Sequence, residues 1–109
     1  MKRMLSFRVR DQLIEKDPTC SFKDIVSGTS NYLQARFTMN ATWKGYACVA
    51  VFRKMLDEYP VVLHGGKCDI PAEATDWDRF YVRIVGRKPD GSILTTDETE
   101  VTQTRKGGV

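Results

Sequence analysis

The side chains best suited to chemistry in this sequence are one histidine and three cysteines. His64 and Cys68 are separated by three residues, whereas Cys20 and Cys48 lie farther upstream. These four side chains could nominally bind zinc, but zinc sites usually contain closely spaced pairs such as CxxC, and no such pair occurs. The spacing instead favours cysteines that act as small buried hydrophobic residues. We therefore expect reduced thiols and no metal site.

A histidine can also act as a general base in catalysis. A catalytic triad needs a nucleophile and an orienting acid in a suitable context, and the sequence contains no Gly-x-Ser-x-Gly elbow. His64 precedes Gly65-Gly66-Lys67, which favours a turn and lacks the spacing of a phosphate-binding loop. We therefore predict no catalytic residues and no cofactor, and we expect that the protein is not an enzyme.

An acidic cluster around Trp77 is the remaining candidate site. Metal loops and glycosidase pairs need carboxylates that converge, whereas the carboxylates of Glu73, Asp76 and Asp78 alternate around an aromatic residue, as in an exposed loop. Trp and Tyr are enriched at interfaces. We therefore predict a contact surface for a protein or a carbohydrate from the candidates Trp77, Tyr81 and Trp43, with Trp77 the best candidate and a core position the favoured interpretation for Trp43.

Composition limits the classes of protein to which the chain can belong. With 109 residues, 41% hydrophobic and 28% charged, the sequence is typical of a single globular domain over residues 1–109. The net charge of +3 comes from scattered basic residues, so we expect no nucleic-acid binding. The longest apolar run, Tyr46–Phe52, is too short to cross a membrane. The odd number of cysteines without an export signal indicates synthesis in a cytoplasm.

The elements that would position these residues are mostly β-strands. Strict alternation of apolar and polar residues predicts strands at 4–9 and 33–39. The run at 46–52 is apolar on both faces, which predicts a strand that is central or covered by a partner. Further strands are expected at 61–63, 80–86, 93–96 and 99–103, with a hairpin turn at Asp90-Gly91.

The remaining segments are expected to be short and irregular. The sequence predicts a helical turn within 11–18, an extended piece around Phe22, Ile25 and Val26, a polar excursion at 54–59 and a one-turn helix at 71–74 that begins with proline. Residues 105–109 are expected to form a tail. We predict a two-sheet antiparallel sandwich whose core contains five inward-facing residues from these strands: Leu33, Phe37, Phe52, Val82 and Ile84.

The order of these elements resembles the immunoglobulin-like domain at the N-terminus of phage baseplate upper proteins and related modules of phage heads and tails. The resemblance covers about residues 32–103. It consists of the strand at 33–37, the turn Trp43-Lys44-Gly45, the strand ending in Val51-Phe52, and a short strand at 61–63. It continues through Cys68-Asp69-Ile70-Pro71, Glu73, the strand at 80–86, and Gly91 with Thr95-Thr96.

This resemblance implies an all-β fold, an immunoglobulin-like antiparallel β-sandwich with one short helical turn, and a non-enzymatic role in the virion. Because the chain stops at Val109 without the downstream region of baseplate proteins, we expect a small multi-copy decoration or adaptor subunit of the capsid, or else of the tail or baseplate. The expected partners are other virion proteins or further copies of the chain. The alternative function is a carbohydrate-binding module that recognises a host-surface glycan.

Overall fold

The computed structural model describes residues 2–104, so the tail expected at 105–109 lies outside the described residues. The described residues form nine β-strands and one short 3₁₀ helix, Ala41–Trp43. The strands are β1 (Arg3–Arg10), β2 (Leu13–Lys16), β3 (Leu33–Met39), β4 (Ala47–Lys54), β5 (Asp57–Val62), β6 (Lys67–Asp69), β7 (Arg79–Arg87), β8 (Ile93–Thr95) and β9 (Thr99–Thr102).

The strands form two sheets that pack face to face. The first sheet has the order β2-β1-β3-β6, and the second has the order β5-β4-β7, with β8 and β9 both pairing along β7. This arrangement confirms the all-β sandwich predicted from the sequence. One pairing differs from the expected antiparallel pattern, because β1 and β3 are parallel. Parallel neighbours need a long crossover connection, and residues 11–32 supply it.

The core lies between the sheets and follows the alternation of the strands. Along β7, Phe80, Val82 and Ile84 face inward and are completely buried, whereas the residues between them are partly exposed. The predicted core is confirmed, since all five of its members belong to one buried cluster: Leu33, Phe37, Phe52, Val82 and Ile84. β4 lies between β5 and β7, which confirms its predicted central position.

The helical turn predicted within 11–18 is wrong, because this segment forms a β-hairpin. Asp11 adopts a positive φ of 52°, and the chain then returns as β2 alongside β1. The Asp11 carboxylate fixes the turn by accepting a hydrogen bond from Thr42 Oγ1 at 2.7 Å. Within β2 only Ile14 is buried, so the strand is too short for a clear alternation of apolar and polar residues in the sequence. The extended piece expected around Phe22, Ile25 and Val26 is a loop with one isolated bridge, from Val26 to Thr104.

Two further segments also differ from the sequence-based expectations. The polar excursion at 54–59 is a hairpin, and β5 begins at Asp57 instead of Val61. At 71–74, two hydrogen bonds form consecutive turns, from Ala74 N to Pro71 O and from Thr75 N to Ala72 O, without a helix. The short helical turn of the fold is Ala41–Trp43 instead. The predicted hairpin at Asp90-Gly91 is confirmed, and Gly91 has the positive φ of 92° that the turn requires.

Candidate functional site

Trp43 lies in the hydrophobic core and is only 4% exposed. Its indole Nε1 donates a hydrogen bond to the carbonyl oxygen of Asp11 at 2.8 Å, and its ring lies 5.8 Å from the ring of Tyr46. A Cβ atom on Gly86 would lie 3.0 Å from the Trp43 ring, so β7 approaches it closely only because residue 86 has no side chain. Trp43 therefore closes one end of the sandwich and offers little surface to a partner.

Trp77 lies in the loop that precedes β7, and its side chain is 36% exposed. The loop is attached to the chain after β9 by Gln103. The Gln103 Nε2 donates to the carbonyl oxygen of Trp77 at 2.8 Å, and the Gln103 backbone N–H donates to the carbonyl oxygen of Asp78 at 2.7 Å. Trp77 is thus a partly exposed aromatic residue on a loop that is fixed by hydrogen bonds, and its exposed surface is available for contact.

Tyr81 lies on β7 and points to the outer face of the second sheet, between the inward-facing Phe80 and Val82. Its hydroxyl donates a hydrogen bond to Glu100 Oε2 at 3.0 Å, and the Arg53 guanidinium lies 4.3 Å from the centre of its ring. Since Trp43 is an inner residue near Gly86 and Tyr81 is an outer residue, the three predicted aromatic residues do not form one contact surface.

Tyr81 belongs to a group of paired charges that we call the charged half of this outer face. Arg53 binds Glu98 through two hydrogen bonds of 2.9 and 2.8 Å, and Arg83 binds Glu58 at 2.8 Å. The hydrogen bond from Arg53 lowers the pKa of Glu98, and the hydrogen bond from Arg83 lowers the pKa of Glu58. These charges neutralise one another within a single chain.

The other half of the same face carries what we call the apolar row, formed by Val62, Val49, Val85 and Ile93. Val49 lies directly opposite Val62 of β5 on one side and Val85 of β7 on the other. Residues opposite each other on paired strands project to the same face, and Ile93 of β8 is diagonal to Val85. Val62 is 57% exposed and Ile93 is 56% exposed. The row therefore crosses four strands and presents apolar side chains to water.

This row was not predicted from the sequence. The sequence feature that could have indicated it is the run at 46–52, which is apolar on both faces and was expected to be central or covered. β4 is central, and its inner face packs in the core, but half-buried Val49 on its outer face has no second layer above it within the described residues. Individual strands could be predicted from their own residues, whereas the register that places Val62 and Val85 beside Val49 could not be predicted from the sequence.

The thiols lie in three different environments. Cys68 is buried in the core, and burial raises its pKa to about 12. Cys48 is half-buried near one end of β4, where desolvation also raises its pKa, and Cys20 accepts a hydrogen bond from the backbone N–H of Ser6 at 3.4 Å. Within residues 2–104, no three histidine, cysteine or acidic side chains are close enough together to hold a metal ion.

Residues 2–104 contain no helix that is long and apolar enough to cross a membrane. Comparison of the chain with protein-family models, with curated proteins and with solved structures finds no match.

Proposed function

We propose that this chain is a non-enzymatic structural protein of a phage particle, a multi-copy decoration or adaptor subunit of the capsid, or of the tail or baseplate. It acts through protein–protein contacts, and the apolar row is the observation that carries the proposal. Contiguous apolar surface bordered by polar residues is typical of interaction sites. The row has such a border in the charged half of the same sheet face.

The chemistry of the row suits a protein partner with an apolar surface of its own. Val62, Val49 and Val85 are β-branched side chains held on neighbouring strands, so little conformational entropy is lost when they are covered. Burial of such side chains removes apolar area from water, which is the main driving force of association. The charged half borders this contact, and its charges are already paired within the chain.

The phage assignment is supported by the resemblance of the element order to the immunoglobulin-like domain of baseplate upper proteins. The strand β3, the turn at Trp43-Lys44-Gly45, the central strand β4 and the strand β7 follow one another in that order. Under this proposal the chain is made in the bacterial host cytoplasm and then becomes part of the virion. Its partners are other virion proteins or further copies of itself.

Quantitative mass spectrometry of purified particles of the encoding phage tests the proposal. The chain is expected in many copies per particle, and deletion of its gene is expected to change particle stability, decoration or attachment. Absence of the chain from the particles contradicts the proposal. A turnover by the isolated protein that disappears when one side chain is changed also contradicts it.

A second candidate function is carbohydrate binding at the host surface, and the exposure of Trp77 favours it. Aromatic rings with one accessible face can pack against apolar surfaces of ligands, and Trp77 is 36% exposed on a held loop. Host-surface glycans should then shift the tryptophan fluorescence of the wild type and of Trp43→Phe but not of Trp77→Phe. Unchanged wild-type fluorescence at saturating glycan would reject this second candidate.

A further inference from the structure

The turn between β4 and β5 exposes two large apolar side chains, and we call it the apolar tip. Lys54 pairs with Asp57, so the turn consists of Met55 and Leu56. Leu56 is 95% exposed and Met55 is 59% exposed. Met55 has a positive φ of 55°, a conformation that hairpin turns usually assign to glycine or asparagine. The Arg53 guanidinium donates a hydrogen bond to the Met55 carbonyl, so the tip is held in place.

At the opposite end of β4, outside the point where Trp43 closes the core, residues of both sheets form a surface groove, which we call the end groove. It is open to solvent, its volume is about 610 Å³, and its apolar lining includes Phe37, Met39, Tyr46 and Leu63 together with Val62 of the apolar row. Lys44 is the charged residue of the lining, and Cys48 also lines the groove. The groove therefore combines an apolar interior with a positive charge at one side.

The tip and the groove of one chain cannot meet. The eight residues of β4 separate them, and at roughly 3.3 Å per residue this strand is about 26 Å long. The chemistry of the two features nevertheless matches. The tip offers two flexible apolar side chains followed by exposed Asp57, and the groove offers apolar walls with Lys44. A chain with both features at opposite ends of β4 can contact a second copy end to end.

We propose that the apolar tip of one copy inserts into the end groove of a second copy. Because the two surfaces differ, this contact is head-to-tail and produces a ring or an open row of subunits. The inference rests on the proposed function as a multi-copy subunit. Two inserted side chains bury far less than the about 1,200–2,000 Å² of a stable interface. The contact is therefore weak in dilute solution and strengthens when copies are held side by side on a particle.

A disulfide trap tests this contact directly, since Cys48 lies in the groove. The variant Leu56→Cys places a thiol on the tip, and copper phenanthroline serves as the oxidant. We expect a ladder of covalent dimers and larger species on non-reducing gels, with the bond between residues 56 and 48 identified by peptide mass spectrometry. The double variant Leu56→Cys with Cys48→Ser should lose the ladder. The variant Glu73→Cys, which adds an exposed thiol elsewhere, is the matched control and should give at least tenfold less product.

A ladder that persists after Cys48→Ser would overturn the inference, because the tips would then be contacting each other or another thiol. Equal product from Leu56→Cys and Glu73→Cys would also overturn it, because the collisions would then be nonspecific. Neither result bears on the proposed function, which is decided separately by the presence of the chain in purified particles. Particles that contain many copies without any bond between residues 56 and 48 would refute only the head-to-tail contact.

Discussion

The two halves of the outer face of the second sheet differ in whether their side chains find partners within the chain. In the charged half, Arg53 and Glu98 share two hydrogen bonds, and Arg83 binds Glu58. In the apolar row, Val62 of β5 and Ile93 of β8 remain more than half exposed. The first half needs no partner to be stable in water, whereas the second exposes surface that a partner would cover. This difference is the reason for proposing the apolar row as the contact surface.

Both halves depend on the same inner face, and Phe52 should show the largest effect when changed. Its ring is completely buried and lies 6.2 Å from the ring of Phe80. The change Phe52→Ala should lower the free energy of unfolding by about 3–5 kcal/mol, because it leaves a cavity in the core. Urea denaturation followed by circular dichroism measures this loss. A cost no larger than that of Val49→Ala on the outer face would contradict the assignment of inner and outer faces.

Gly86 should show the next largest effect, because it lies where β7 passes the closed end of the core. A Cβ atom at this position would lie 2.9 Å from the Cβ of Tyr46 and 3.0 Å from the ring of Trp43. The change Gly86→Ala should therefore cost about 1–3 kcal/mol of stability through overpacking. The Trp43 fluorescence spectrum should shift as the ring moves. Gly65→Ala is a useful comparison, since nothing lies within 4 Å of its added Cβ, and its cost arises from its positive φ alone.

Removing the charge of Glu98 from the charged half should have a smaller effect on the stability of the folded chain, and this effect should depend on pH. The pKa of Glu98 in the folded protein is lowered from 4.5 by its hydrogen bond to Arg53. The unfolded chain therefore takes up this proton more readily, so the contribution is present above about pH 4.5 and lost as the pH falls through the lowered folded value. Because the pair is partly exposed to solvent, it contributes no more than about 1 kcal/mol.

The change Glu98→Gln should therefore reduce stability at pH 7 and make the acid-induced loss of stability shallower. Thermal unfolding measured from pH 7 down to about pH 3 tests this expectation. Glu73→Gln, an exposed glutamate outside the charged half, is the control and should follow the wild-type curve. An identical pH dependence for Glu98→Gln and the wild type would show that this pair does not stabilise the folded chain.

Sequence patterns were sufficient to predict the structural features that depend on residues close together in the sequence. The alternation at 33–39 and 80–86 predicted β3 and β7 together with their inward residues, and Asp90-Gly91 predicted the hairpin. The short strand β2 was missed because four residues with one buried side chain give too brief a period. The prediction placed the start of β5 too late. Its first residues, Asp57 and Glu58, are polar, and polar residues are tolerated in a strand at the sheet edge.

Features that depend on register were not predictable from the sequence. The parallel pairing of β1 with β3, and the alignment of Val49 with Val85, arise from strands that are not consecutive in sequence. The same is true of the pairing between Arg53 and Glu98, which are 45 residues apart. Val62 aligns with Val49 across the β4–β5 hairpin, which was not predicted because 54–59 was expected to be a polar excursion. Trp43 and Tyr81 were grouped by residue type, but Tyr81 lies at an outward-facing position of β7, whereas Trp43, in the 3₁₀ helix, is buried in the core.

Incorporation of a variant into particles is the most direct test of the apolar row. The change Ile93→Lys adds a charge to the row at an exposed position outside the end groove, so its stability should remain within about 0.5 kcal/mol of the wild type. Thr38→Lys, at an exposed position of β3, is the matched control on the first sheet. Each variant is supplied to phage lacking the gene, and copies per particle are measured by quantitative mass spectrometry. Wild-type levels of Thr38→Lys and at least tenfold fewer copies of Ile93→Lys are expected, whereas equal incorporation of the two folded variants would contradict the role of the apolar row.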